Sequence, residues 1–422
     1  MRKWIALLLT ALLTIAPALA SGGEEIDLAP TPAPEATTEP VRLAPLATAP
    51  LETTLPLTAN CGAVLLAEQD SGQVIFEMNP DVPRPVASVT KVMTILLAME
   101  RLDAGQLRLE DEVTISRTAA GMGGSQVLLD VGERQTVRVL LESMIVGSAN
   151  DAAVALAEAM FGSESACVDR MNRRAAELGM NNTHFVNCTG LPAEGQQTTA
   201  RDVAVMSRQL FAHPAYFDFS TTWLDDIDHG GGRVTQLVNT NKLLRLCDGC
   251  DGGKTGSTRE AGYCVSATAR RGGMRLVAVV LGADSGAERF DIAARMLEHG
   301  FANYRRYPVA TRGTRVKGAL PVAGGNREGV PLALDSDLTL LLNRGDEQRV
   351  RLVPDLPSGI DAPVIRGQRV GSVAVTLDGR VLADIPVVAA EAVDARGLKV
   401  GIGRFWRFWP MITKLSSNTS ES

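Results

Sequence analysis

Histidine is scarce in this chain: four occur among 422 residues, His184, His213, His229 and His299, and no G-x-S-x-G segment accompanies them. A Ser-His-Asp hydrolase built on a nucleophile elbow is therefore a poor fit, and each histidine reads as structural. An excess of basic charge is also missing. Lys and Arg number 42 against 48 Asp and Glu, for a net charge of −6, and no basic patch interrupts the balance, which argues against a nucleic-acid partner. Beyond the first residues no segment offers the roughly 20 consecutive apolar residues that a bilayer-spanning helix needs. Cysteine is limited to Cys61, Cys167, Cys188, Cys247, Cys250 and Cys264. Cys247-x-x-Cys250 has no second Cys/His pair at ligand spacing, so neither a metal nor any other cofactor is assigned. The even count leaves some disulfide pairing open in an exported chain, with a connectivity that sequence does not give.

What is present divides the chain. Arg2 and Lys3, the apolar stretch Trp4 to Ala16 and the small-residue site Ala18-Leu19-Ala20 form a secretory signal over 1–20. Residues 21–57 are rich in Pro, Thr, Ala and Glu, with Pro30, Pro32, Pro34, Pro40, Pro45, Pro50 and Pro56, and read as an extended tether. The remaining chain, in a sequence 45% apolar, can bury real cores. Gly62 to Leu66 and Val74 to Phe76 flank Asp70-Ser71-Gly72 as a strand pair. Three-to-four spacing of Val89, Val92, Met93, Leu96 and Met99, then of Val137, Leu140, Leu141 and Met144, then of Val154, Ala157 and Met160, predicts helices. Strands return as Tyr263 to Ala269 and Met274 to Leu281, joined through Arg271-Gly272-Gly273. Strands at both ends with helices between them predict an α+β unit over 58–306, an antiparallel sheet covered by helices. Short alternating runs such as Val373, Val375 and Leu377, then Asp378-Gly379, then Val381 and Ile385, predict a small all-β domain over 307–394.

Three short motifs carry chemistry. Ser88-Val89-Thr90-Lys91 follows Pro83 and Pro85 where the first apolar-periodic helix begins, which places Ser88 in the first helical turn with Lys91 on the same face. A serine needs an adjacent base, and a lysine serves as one when desolvation or neighbouring positive charge lowers its pKa. Ser148-Ala149-Asn150 lies between two helical runs, a turn able to aim both side chains into a cleft: Ser148 to relay a proton, Asn150 to hold a substrate's peptide backbone. Lys254-Thr255-Gly256 directly precedes the Tyr263 to Leu281 hairpin and belongs on an edge strand. There Lys254 offers a positive charge and Thr255 a hydroxyl to a carboxylate, while Gly256 lets a ligand approach the backbone.

In that order S-x-x-K, S-x-N and K-T-G resemble the signature set of penicillin-binding proteins and serine β-lactamases. Pro85 to Thr94, Gly124-Ser125, Ser148 to Ala152, Met171-Asn172, Thr183-His184-Phe185, Gly190-Leu191, Thr199 to Asp202, Asn239 to Leu243 and Asp251 to Thr258 are similar to the D-alanyl-D-alanine carboxypeptidase branch, over residues 58–305. The resemblance implies a penicillin-binding-protein-like fold and an exported enzyme that removes the terminal D-Ala from peptidoglycan stem peptides. It further implies that Ser88 is acylated, that Lys91 is the base, that Ser148 and Asn150 complete the cleft, and that Lys254, Thr255, Gly256 and Ser257 bind substrate. The oxyanion would sit between the N–H groups of Ser88 and Ser257. β-Lactam antibiotics would be covalent inhibitors. Two departures are mild: Cys167 stands where an aromatic commonly precedes Met-Asn, and Gly253 where an apolar residue often precedes Lys-Thr-Gly. A β-lactamase shares the motifs, but no E-x-x-x-N loop lies between the second and third of them. A dead wall-binding scaffold would have lost Ser88, Lys91 or Lys254, and a DD-endopeptidase using the same site stays open.

At the other end, 395–415, the residues Leu398, Ile402, Phe405, Phe408, Trp409, Ile412 and Leu415 fall on one side of a helical projection, opposite Lys399, Arg407 and Lys414. Trp406 and Trp409 beside Arg404 and Arg407 favour a segment lying in a membrane interface, and the resembling branch often carries such an anchor on the outer face of the cytoplasmic membrane; the alternative is an apolar stripe packed onto the β domain, with Gly401, Gly403 and Pro410 weakening a free helix. Residues 416–422 are a tail.

Overall fold

The computed structural model describes residues 43–52, 54, 55 and 60–397. The signal over 1–20, much of the tether and nearly all of the amphipathic segment fall outside the described residues. Two units emerge, one running through Val309 with Thr339–Glu347 added, the other made of Ala310–Leu338 and the chain from Gln348 onward.

The first unit is built on a five-stranded sheet. In chain order its strands are β1 (Ala63–Glu68), β2 (Val74–Met78), β3 (Cys250–Thr258), β4 (Gly262–Arg271) and β5 (Met274–Ala283), arranged β2-β1-β5-β4-β3 with every pairing antiparallel. β1 is buried along its whole length, because helices cover both faces of the sheet and a strand so placed has no solvent side. The β1–β2 turn is set by Gly72 at φ 70° and by the Glu68 carboxylate, which accepts from Ser71 N at 2.7 Å and Ser71 Oγ at 2.6 Å. Gly272 and Gly273, at φ 52° and 80°, give β4–β5 the left-handed two-residue turn that matches strand twist. Both strands of this hairpin run two residues beyond the apolar runs, β4 to Arg271 at the turn and β5 to Ala283 at the open end, because the ladder pairing continues there.

Helices α1 (Lys91–Asp103), α2 (Val137–Val146), α3 (Asn150–Phe161), α4 (Glu164–Glu177) and α5 (Ala200–Leu210) form the layer on one face, and α6 (Gly286–Asn303) covers the other. α1 is a core helix: every residue from Lys91 to Met99 is buried. Burial of Val92, Met93, Ile95 and Leu96 contributes on the order of 1.5–3 kcal/mol each, enough to hold two polar residues, Lys91 and Thr94, inside. The position of the lysine is thus a consequence of packing around it.

The second unit is a six-stranded sheet with Val330, Val375, Ile385 and Val387 at its centre. Its longest hairpin, Arg369–Leu377 with Arg380–Ala389, turns at Asp378-Gly379 (φ 50° and 82°), as the alternation predicts. All six cysteines are free thiols, so the pairing that an even count left open does not occur. Four of them, Cys167, Cys188, Cys247 and Cys264, are buried.

Candidate active site

Ser88 does not lie in an α-helical turn, as the sequence led us to expect. Ala87–Thr90 is a 3-10 turn, and the α-helix starts only at Lys91. Pro83 and Pro85 hold the approach extended, and Ala87 enters at φ 48°, so the first bonds formed are of the shorter kind, Val89 N to Val86 O at 3.2 Å and Lys91 N to Ser88 O. In a 3-10 turn residues i and i+3 eclipse, which stacks Lys91 over Ser88 more directly than an α-turn would. Lys91 Nζ lies 3.0 Å from Ser88 Oγ and donates to Asn150 Oδ1 at 2.6 Å and to the Thr189 carbonyl at 2.7 Å. Burial pulls its ammonium down from 10.5 to about 7, against the opposing pull of Cys188 and Asp151. A neutral amine has two N–H bonds. With the two carbonyl oxygens taking them, its lone pair is left for the Ser88 hydroxyl.

Ser148 connects α2 to α3 at φ 63°, unusual for a residue with a Cβ, and strain of this kind is kept where side-chain direction matters. Its hydroxyl accepts from Lys254 Nζ at 2.8 Å. Asn150 is committed within the protein: besides the Lys91 bond, its Nδ2 donates to Gly123 O at 2.7 Å and its backbone N to Ser125 O at 2.7 Å. The expected hold on a substrate backbone would therefore require one of these bonds to open. Asp151 fastens the same loop, accepting from Val127 N and Leu129 N.

β3 is the edge strand the motif calls for, pairing with β4 alone. Gly253 is required where an apolar residue is more usual: it sits at φ 136°, a Cβ there would lie 2.4 Å from Ser266 O, and the Tyr216 hydroxyl both accepts from Gly253 N (2.9 Å) and donates to Gly253 O (3.2 Å). Lys254 Nζ donates to Ser148 Oγ and, at 3.0 Å, to Thr255 O, while Thr255 Oγ1 donates to Thr240 Oγ1 at 2.8 Å. Burial, then Lys91, then Arg289 push Lys254 well below the ordinary lysine range, so this corner stores a demand for negative charge. Gly256 brings β3 against the nucleophile: a Cβ there would sit 2.6 Å from Val86 O and 2.8 Å from Ser88 N. Ser257 follows, exposed.

The structure brings Ser88, Lys91 and Asn150 into one hydrogen-bonded chain and Ser148 with Lys254 into a second, with Thr255, Gly256 and Ser257 on the strand beside them. Sequence reasoning missed the Thr189 and Gly123 carbonyls, Tyr216, and Arg289, whose Nη1 donates to Gly256 O at 3.0 Å. Backbone carbonyls leave no mark in a side-chain pattern, and an arginine in α6 looks like any surface cation. No carboxylate among the described residues hydrogen-bonds to Ser88 or Lys91, and His213, His229 and His299 are bound to Asp103, Glu133 and Glu52 instead. Among the described residues no group of three or more His, Cys, Asp and Glu could hold a metal.

Comparison with known proteins places this geometry. The family model for D-alanyl-D-alanine carboxypeptidase matches residues 50–285, and that for the penicillin-binding protein 5 C-terminal domain matches 304–395. The chain is 37% identical over 348 residues to D-alanyl-D-alanine carboxypeptidase DacF of Bacillus subtilis, covering 82% of this chain and 89% of that one. It is 32% identical to DacD of Escherichia coli, covering 80% and 88%. Among solved structures, penicillin binding protein 5 from Haemophilus influenzae superposes with a TM-score of 0.72 at 28% identity, over 81% of this chain and 99% of that one. Penicillin-binding protein D2 from Listeria monocytogenes, solved in an ampicillin-bound form, superposes with a TM-score of 0.52 at 32% identity, over 59% and 99%.

Proposed function

The chain belongs to the D-alanyl-D-alanine carboxypeptidase family of low-molecular-mass penicillin-binding proteins, and on that premise we propose that Ser88 is its acylated nucleophile and Lys91 the base that activates it. It is a serine-type D-alanyl-D-alanine carboxypeptidase, acting on peptidoglycan stem peptides. The observation that carries the assignment of roles is the environment of Lys91 Nζ, buried, drawn down to about 7, and with two acceptors taking its N–H bonds. Ser88 Oγ attacks the carbonyl carbon of the penultimate D-Ala as its proton passes to Nζ. The N–H groups of Ser88 and Ser257 hold the oxyanion, a reading supported by the close approach of β3 at Gly256. Collapse breaks the peptide bond, and the terminal D-Ala amine leaves with a proton relayed through Ser148. Water then hydrolyses the ester, restoring Ser88 and releasing the shortened stem. Penicillin enters the same path through its strained amide and remains as the acyl-enzyme.

Lys254 takes the terminal carboxylate, joined by Thr255. Removing one partner of such a desolvated charge pair costs roughly 2 to 5 kcal/mol, so Lys254→Ala is expected to cut kcat/KM for peptides ending in D-Ala-D-Ala by about 30-fold or more. The same experiment on the wild-type enzyme uses a peptide with an amidated terminus. Release of D-alaninamide as fast as D-Ala would remove Lys254 from this role.

Export through the segment 1–20 and residence on the outer face of the cytoplasmic membrane complete the reading. The amphipathic stripe from Leu398 to Leu415, with Trp406 and Trp409, supports the second. A chain ending near Asp394 is expected to keep its activity and to lose sedimentation with anionic vesicles that retain the full-length mature chain. Equal retention of both places the membrane contact elsewhere.

A further inference from the structure

The outer edge of β3 pairs with no strand, yet it is open along only part of its length. Resting on the assignments above, a peptide that adds to this edge has its terminal carboxylate at Lys254 and its scissile carbonyl at Ser257, so it runs antiparallel to β3 and points its C-terminus toward Gly253. At Gly253 the edge is already occupied. The 3-10 turn Pro214–Tyr216 and the helical turn Phe217–Ser220 lie against the first residues of the strand. The Tyr216 hydroxyl accepts from Gly253 N at 2.9 Å and donates to Gly253 O at 3.2 Å, and Ser220 Oγ donates to Asp251 O at 2.6 Å. The backbone groups with which a longer peptide would pair are thus taken from within the chain.

The ring blocks the same path. Tyr216 is 1% exposed, set edge-on to Phe217 with ring centroids 5.2 Å apart and tilted against Phe211 at 5.5 Å, and a side chain packed this closely has no room to swing aside. Gly252 lets the turn come so near, since a Cβ there would lie 2.9 Å from Tyr216 Cε1 and 3.2 Å from Ser220 Oγ. Burial raises the phenol above its ordinary value, which keeps the proton that the bond to Gly253 O requires. At about 3.3 Å per residue, a residue placed after the terminal D-Ala would have to enter the space that Tyr216 fills.

We propose that the Tyr216 ring closes the substrate groove directly beyond the leaving residue, so that the enzyme reads the length of the leaving group as well as its charge. Lys254 recognises the carboxylate, and Tyr216 excludes a chain that continues through it. Only that direction is closed: a longer side chain on the leaving residue stands off the strand axis and is not met by this wall. Tyr216 touches no reacting atom and acts on specificity.

The test compares kcat/KM on three esters, diacetyl-L-Lys-D-Ala joined to D-lactate, to D-lactamide or to D-lactyl-glycine, whose reactive bond keeps the slow members measurable. Lactamide removes the charge without adding length, whereas lactyl-glycine adds one residue. In the wild type the lactamide is expected to exceed the lactyl-glycine ester by about tenfold or more, the scale on which a closed pocket rejects a surplus group. Tyr216→Leu keeps apolar packing against Phe211 and Phe217 but does not reach Gly253, and is expected to bring that ratio close to one while still binding labelled penicillin. Tyr216→Phe keeps the ring and with it the ratio. A ratio near one in the wild type overturns the wall. So does an unchanged ratio in a Tyr216→Leu enzyme that still binds penicillin, or a uniform slowing of all three esters, which marks Tyr216 as structural. Collapse of the ratio in Tyr216→Phe would assign the effect to the bonds on Gly253 and overturn exclusion by the ring. Failure of the wild type to cleave even the D-lactate ester would instead remove the assignments on which the wall rests.

Discussion

Ser88→Ala is expected to abolish covalent attachment of labelled penicillin and to lower release of D-Ala by a factor on the order of 10⁵ to 10⁶, the loss seen when a serine hydrolase is deprived of its nucleophile. The substitution removes one oxygen atom from a 3-10 turn whose backbone bonds, Val89 N to Val86 O among them, do not involve the side chain. The fold should therefore survive, and circular dichroism with thermal melting checks it. Lys91 keeps two of its three partners, Asn150 Oδ1 and Thr189 O, so the variant also isolates nucleophile from base. Ser148 is the rival hydroxyl in the cleft, but its oxygen accepts a hydrogen bond from Lys254, so no base stands ready to take its proton there. Labelling of the Ala variant at wild-type yield, mapped by mass spectrometry to Ser148, would reverse the assignment.

Much of this site was legible because motif and element coincide. Periodicity of Val89, Val92, Met93 and Leu96 located the helix that carries Lys91, and the turn residues Arg271-Gly272-Gly273 located the hairpin against which Lys254 lies. The geometry at Ser88 was less legible. Local pattern treats 3-10 and α turns alike, and what separates them here is the left-handed Ala87, a conformation set by tertiary packing in which Gly190 and Gly256 crowd the same stretch of backbone. The partners of Asn150 were hidden for a related reason. Sequence names an amide, whereas its partners Lys91 and Gly123 arrive from residues 59 and 27 positions away. Thr189, Tyr216 and Arg289 were beyond reach in the same sense, since each contributes through a contact between distant segments. The β domain, by contrast, advertised its longest hairpin through Asp378-Gly379 because a two-residue turn is a local event.

The rate should also record the charge on Lys91. A base must be neutral to take the Ser88 proton, and burial has brought this lysine from 10.5 to about 7. Below that value the amine is mostly protonated and kcat/KM is expected to fall about tenfold per pH unit, while above it the rate levels off, the opposite direction from an enzyme needing a protonated acid. Lys91→Arg keeps the charge and much of the length but cannot release its proton, so it should lose on the order of 10² to 10⁴ in kcat/KM at every pH and show no rising limb. Retention of a tenth of wild-type activity by that variant, or a flat wild-type profile between about pH 5.5 and 8.5, would take the role of base from Lys91. The bound state adds a sign of its own. The charge of Lys91 disfavours charge on Lys254, and a substrate carboxylate arriving at Lys254 brings negative charge into this corner of the cleft. Charge on Lys91 then becomes easier to hold, and the limb in kcat, which reports the enzyme–substrate complex, should stand at higher pH than the limb in kcat/KM, which reports the free enzyme. A substrate with an amidated terminus delivers no such charge, and for it the separation between the two limbs should close.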